Sequence, residues 1–280
     1  MTANRRNRPQ DARDQGVADR VLVLAPRSTE TDRQLAVAAY RRGLRVERAH
    51  TWRPPDGSRA GAAHLYAGPL FADAVARELG LGLLEAPDDW LARLPRELTG
   101  RTVEVATLAE AWRLRRPAFV KPPTDKSFPA RVYRDGTQLP GPDAADADTR
   151  VLVADVVRFR VEFRLFVLDG RVAAASCYAV DGDLAVAPAA DCPQWPAAEA
   201  FAREVLAVSA RDLPGAVVVD VGLLDGAGWA VVEANAAWAS GGYACDDDAV
   251  LDVVLRAGGP LADLSEHDRR FIRSAPTVVH

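Results

Sequence analysis

Val217–Asn235 constrains this chain more than any other stretch. An apolar run enters Asp220, a polar turn follows at Asp225-Gly226, and a second β-rich run ends in Glu233 and Asn235. Two such runs around an Asp-Gly pair read as a β-hairpin. Side chains alternate along a strand, so Glu233 and Asn235 face one way, and the hairpin brings Asp220 of the partner strand within their reach. Two carboxylates and an amide oxygen on one face form a hard oxygen site. Mg²⁺ or Mn²⁺ suits such ligands and is completed by water and phosphate. On this stretch alone, the alternative is an edge hairpin with solvated acids.

Size and composition narrow the classes. A chain of 280 residues can form one large domain or two to three small ones. Nothing in a formal charge of −4 predicts a nucleic-acid surface, though it leaves a nucleic-acid partner open. Cys177, Cys192 and Cys245 are widely spaced and contain no CxxC pair, which implies neither a disulfide framework nor a zinc site. His50, His64, His267 and His280 do not cluster. No apolar run reaches the roughly eighteen residues of a membrane span, and the first residues lack an apolar signal-peptide core. The expected compartment is the cytoplasm, with no membrane partner. Among 35 basic residues the only lysines are Lys121 and Lys126, five apart. Their pairing points to a place where an ammonium matters, since Lys and Arg differ in reach and donor geometry.

Residues 1–19 read as a disordered polar tail and 20–95 as a small α/β module. In that module strand Val21–Ala25, helix Glu30–Arg42 and strand Leu44–Arg48 are followed by strand His64–Tyr66 and helix Gly68–Leu79, then a connector over Ala86–Leu98. Residues 96–150 contain strands at Arg101–Val105 and Phe119–Lys121, a helix capped by Thr107, a hairpin partner at Ala130–Tyr133, and a loop over Arg134–Arg150. Residues 151–258 read as strands Val151–Val157, Glu162–Leu168 and Arg171–Val180, helix Ala197–Arg211, the organising hairpin, and a helix capped at Asp246 or Asp247. Residues 259–280 are an appended segment.

The motifs FVKP at Phe119–Pro122, VEFRLFVLDG at Val161–Gly170 and VVEANAAWASGGY at Val231–Tyr243 together resemble the ATP-grasp superfamily, and more narrowly a divergent clade of it. Members hold ATP between two α+β lobes and usually activate a carboxylate as an acyl phosphate. The resemblance covers roughly residues 96–258. It implies an α/β and α+β architecture, two nucleotide-clamping lobes preceded by a small α/β domain, with ATP and Mg²⁺ (or Mn²⁺) as cofactors.

Residue by residue, the resemblance implies Lys121 on the ATP phosphates and Lys126 in the phosphate-covering loop, here PTDKSFPA without glycine. Asp155 and Val156 fall at the interlobe hinge near the adenine, and Glu162 at the ribose hydroxyls. Arg101 stands in for an earlier lysine of the nucleotide domain. Val218 occupies a position where the family commonly has an arginine, which leaves Arg164, with Lys126, as the expected catalytic charge. Arg164 lies on the same strand face as Glu162, and a simple pair between them is the alternative. Asp220, Glu233 and Asn235 match the metal ligands, and Trp238–Tyr243 would flank the acceptor pocket, with a plain core or loop-anchoring Trp238 as the equal alternative. The implied reaction joins a small-molecule or peptide carboxylate to an amine or other nucleophile. Two rival readings stay open: a kinase or nucleic-acid-end modifying enzyme using the same ATP site, and a non-catalytic nucleotide-binding or partner-binding module. The oligomeric state is left open, a dimer among the options.

Overall fold

The computed structural model describes residues 20–58, 60–122 and 128–274. The expected tail at 1–19 and Lys126 lie outside them. Packing separates two units: the chain up to Leu84 with Ala237–Gly242 and everything from Asp246, and Glu85–Ala236 with Tyr243–Cys245.

In the first unit, β1 (Val21–Leu24), β2 (Arg45–Arg48) and β3 (Ala63–Tyr66) form a parallel sheet in the order β2-β1-β3. Helix Glu30–Arg41 joins β1 to β2. A capping box fixes its start: Thr29 Oγ1 accepts from Asp32 N, and the Asp32 carboxylate accepts from Thr29 N. Helix Pro69–Leu79 follows β3 and buries Phe71, Val75 and Leu79. β4 (Leu81–Leu83) pairs antiparallel with β14 (Gly258–Pro260).

Helix Asp247–Ala257, capped by Asp246, belongs to this unit and not to the second lobe in which its sequence position put it. Its buried stripe of Val250, Val253 and Val254 packs toward β3 and helix Glu30–Arg41. Of the two roles open to Trp238, the structure shows the anchoring one. It is a core side chain of this unit, fully buried, with Nε1 donating to the Leu84 carbonyl at 2.9 Å.

The second unit contains two antiparallel sheets. The smaller joins β5 (Val103–Thr107), β6 (Ala118–Lys121), β7 (Arg131–Tyr133) and β8 (Arg150–Ala154) in the order β5-β8-β6-β7. β8 therefore completes the first lobe, and the boundary drawn at 150/151 cuts through a strand. The segment read as a connector contains two helical turns, Trp90–Arg93 and Arg96–Thr99. The larger sheet takes β9 (Phe159–Leu168), β10 (Arg171–Val180), β11 (Asp183–Pro188), β12 (Ala216–Leu224) and β13 (Trp229–Asn235) in the order β11-β10-β9-β12-β13.

Alternation decides what this larger sheet presents. Val161, Phe163, Leu165 and Val167 of β9 and Val217, Val219 and Val221 of β12 form one face, which shares a core with Ala198, Ala202 and Val205 of helix Trp195–Val208. Each such side chain contributes about 1.5–3 kcal/mol on full burial. With that face committed to the core, Glu162, Arg164 and Asp220 must point to the other.

Candidate functional site

β12 and β13 form the expected hairpin, and the ladder sets Asp220 directly opposite Glu233 and Val218 opposite Asn235. On the other side β9 sets Arg164 opposite Asp220 and Glu162 opposite Gly222. Five polar side chains thus share one face across three strands.

Asp220 is completely buried and accepts two bonds from Arg164, Nε to Oδ1 at 3.0 Å and Nη2 to Oδ2 at 2.7 Å. The expected alternative, an Arg164–Glu162 pair, is not what forms. The Asn235 amide Nδ2 lies 3.3 Å from Asp220 Oδ2 and 2.9 Å from Glu233 Oε1. Lys121, at the end of β6, donates to Glu233 Oε2 and so ties the smaller sheet to the larger.

The charges reflect these contacts. Burial would lower the Arg164 guanidinium, yet Asp220 outweighs it and holds the group well above its ordinary value. Full burial pushes the Asp220 carboxyl up while the Arg164 fork pulls it down. Two charge-assisted bonds occupy that carboxylate, and we take the pair as ionised. Burial also works upward on Glu233, but Lys121 and Asn235 prevail and hold it below the usual carboxylate range.

Arg101 serves the same strand through its backbone. A bulge between Asp220 and Val221 leaves Val232 of β13 unpaired in the ladder. The buried Arg101 guanidinium supplies the missing donors, Nη1 to Val231 O at 2.8 Å and Nη2 to Val232 O at 3.0 Å, with a third bond to Thr99 O at 2.9 Å. Its Cζ sits over the Phe159 ring at 5.4 Å. Gly222 makes room for that ring, since a Cβ there would meet Phe159 Cδ1 at 2.5 Å. Arg101 therefore braces the residue immediately before Glu233, with its donors turned to backbone carbonyls.

Asp155 continues the β5–β8 ladder. Its Oδ2 accepts from Thr102 N at 3.1 Å and its Oδ1 from Arg116 Nη1 at 3.3 Å, and the Thr102 bond holds the carboxyl below its ordinary range. The neighbouring Val156 is exposed. Glu162 accepts from the Tyr178 hydroxyl at 2.6 Å, and burial pushes its carboxyl up.

A divalent cation fits this donor set. Two carboxylates and one amide converge, and turning the Asn235 amide over exchanges its Nδ2 for an oxygen. Among the described residues no three His, Cys, Asp or Glu side chains could hold a metal by themselves, so the set depends on that amide.

Tyr178 was not singled out in the sequence. It joins the site through a bulge in β10 between Cys177 and Ala179, and nothing in the apolar run around it announces an extra residue.

The model of an ATP-grasp domain family, the second family of its clade, matches residues 98–253, more than half of the chain. The two-lobed fold is that of an ATP-grasp protein. The chain belongs to that clade family of the ATP-grasp superfamily. At the level of class this makes it an ATP-grasp ligase fold, nucleotide-binding and metal-binding. No curated protein matches it. Among solved structures it is similar to a RimK domain protein ATP-grasp from Sphaerobacter thermophilus, at 19% identity and TM-score 0.47, covering 85% of this chain and 99% of that one. D-cycloserine synthetase DcsG matches at 17% identity and TM-score 0.48, covering 84% and 98%. ATP-grasp ligase PsnB matches at 14% identity and TM-score 0.46, covering 84% and 98%. No helix among the described residues is long and apolar enough to cross a membrane.

Proposed function

We propose that this protein is an ATP- and Mg²⁺-dependent ligase joining a carboxylate to an amine, or to another nucleophile, through an acyl phosphate. The observation that carries the reading is Asp220 opposite Glu233, with Asn235 bridging them and Lys121 and Arg164 as adjacent cations. A carboxylate oxygen of the substrate attacks the γ-phosphorus, the bond to the β–γ bridging oxygen breaks, and ADP leaves. The amine then attacks the acyl carbon, phosphate departs, and the amine nitrogen loses a proton. A divalent cation held by Asp220, Glu233 and Asn235 would neutralise phosphate charge.

The chain's own groups divide the rest of the work. Lys121 is the phosphate ligand, and its bond to Glu233 holds its ammonium beside the metal ligands. Lys126, outside the described residues, keeps its proposed place in the phosphate loop. Arg164 compensates charge on the transferring group, a task that suits its rigid donor fork. Glu162 is the ribose ligand, while Asp155 and Val156 form the adenine hinge. Arg101 contributes by fixing β13 under Glu233.

The test is ADP release by the wild type with pools of amino acids, small carboxylates and amines, with the products weighed by mass spectrometry. Mg²⁺-dependent ADP and a condensed product are expected. One observation favours a second reading: both metal carboxylates already have protein cations as partners. A non-catalytic nucleotide-binding module predicts Mg-ATP binding and no ADP from any pool.

A further inference from the structure

Three features beside Asp220 have no role in the scheme so far. Tyr178 is carried onto the site face by its bulge. Its ring stacks on Tyr243, with centroids 5.3 Å apart and planes at 8°. Tyr243 itself has φ +50, in the left-handed region that bulky L-residues rarely adopt. Such a conformation persists only where its surroundings determine it, and it gathers at functional sites. A bulge beside a functional site commonly re-aims a side chain in the same way.

What the two rings surround is Arg164. Its Cζ lies 5.5 Å from the Tyr178 centroid and 5.0 Å from that of Tyr243. The guanidinium thus makes two bonds to Asp220 and also lies over both rings of the aromatic pair. The Tyr178 hydroxyl is anchored in turn by Glu162, one alternate position from Arg164 on β9. A cation that had only to neutralise Asp220 could be a flexible lysine. Two aromatic faces fit the flat, delocalised guanidinium.

We propose that Tyr178 and Tyr243 are positioning residues that lock the Arg164 guanidinium, and that the charge Arg164 supplies to the reaction depends on this cradle. The proposal deepens the ligase reading and rests on it for what Arg164 does. The tyrosines act through the arginine and touch no reacting atom. Tyr243 is the more telling of the two, because it accepts an unfavourable backbone conformation to stack where it does.

The experiment is a double-mutant cycle with a spectroscopic arm. Tyr243→Ala is expected to lower kcat for ADP release by roughly tenfold or more, as a misplaced catalytic group does, with KM for ATP within about threefold. Tyr243→Phe keeps the ring and is expected to restore most of kcat. In an Arg164→Lys background, Tyr243→Ala should add little, because the group it positions is gone. The second readout is the Arg164 Nε–Hε signal by NMR, assigned by its loss in Arg164→Lys. It should carry a ring-current shift in wild type and Tyr243→Phe, and a clearly smaller one in Tyr243→Ala, where only the Tyr178 ring remains. The proposal is overturned if Tyr243→Ala changes thermal stability alone, if its effect on kcat is undiminished in Arg164→Lys, or if the Hε shift in Tyr243→Ala equals that of the wild type. Should the wild type release no ADP, the ligase reading fails by itself, and the Hε shift alone then upholds or overturns the cradle.

Discussion

Arg164 and Asp220 form an ion pair deep enough for its energetics to be worked out and measured. Asp220 has no exposed surface and the Arg164 side chain keeps 11% of its own. Removing either partner leaves the other charge in a setting built for two. In Arg164→Met, the buried carboxylate keeps the Asn235 amide at 3.3 Å but loses both guanidinium bonds. In Asp220→Leu, the guanidinium loses the same two bonds. Breaking a buried pair from one side costs about 3–5 kcal/mol, whereas replacing both members by apolar groups is often close to neutral. Each single variant should therefore raise the opening constant of this sheet by roughly two to three and a half powers of ten. The double variant should be less perturbed than either single, with a coupling of at least about 2 kcal/mol. Native-state hydrogen exchange at Leu165 of β9 and Val219 of β12 reads this locally, without treating two units as one transition. Additive effects, with the double variant as damaged as the two singles combined, would refute the reasoning.

Two further predictions follow from single buried groups. Arg101→Met removes the donors for the Val231 and Val232 carbonyls, each of which then stands to lose about 1–3 kcal/mol; exchange near Glu233 should accelerate and Mg-nucleotide affinity should fall. Unchanged affinity in a folded variant would show that the Arg101 brace on β13 does not serve the site. In the other unit, His64 is buried, with Nδ1 bonded to Leu255 O at 2.7 Å and Nε2 unpartnered among the described residues. Burial holds its imidazole below the ordinary value, with the Leu255 bond pulling the other way. The unfolded chain consequently takes up the proton first, so the stability His64 contributes is whole above about pH 6.5 and is lost as pH falls through and below it. The melting temperature between pH 8 and 5 should decline less steeply in His64→Leu than in wild type, and parallel curves would contradict this.

Much of the large sheet was legible because its code is local. The Asp225-Gly226 turn and the alternation around Asp220 and Glu233 define the β12–β13 hairpin, and the ladder sets those two residues face to face. The run from Glu162 to Leu168 likewise declared its two faces. Pairing across distance was not legible. Which carboxylate Arg164 would choose depends on β9 lying beside β12, and sequence proximity favoured Glu162. Bulges at Tyr178 and Val232 add a residue without changing composition, so neither Tyr178 nor the Arg101 brace could be read beforehand. Helix Asp247–Ala257 shows its amphipathic stripe plainly, but the stripe does not say which unit it will cover. Arg150 looked like the end of a loop because β8 opens with an exposed arginine beside a polar segment.

Every role proposed for this face requires that Asp220, Glu233 and Asn235 hold the metal that accompanies ATP. Its most direct measurement is calorimetric titration of ATP, with and without Mg²⁺, into wild type, Asp220→Ala and Glu233→Gln. Glu233→Gln is included because it retains a side-chain oxygen for Lys121, which guards against loss of fold. Mg²⁺ should strengthen ATP binding to the wild type, and this gain should largely disappear in both variants. Full Mg²⁺-dependent strengthening in both variants would contradict it.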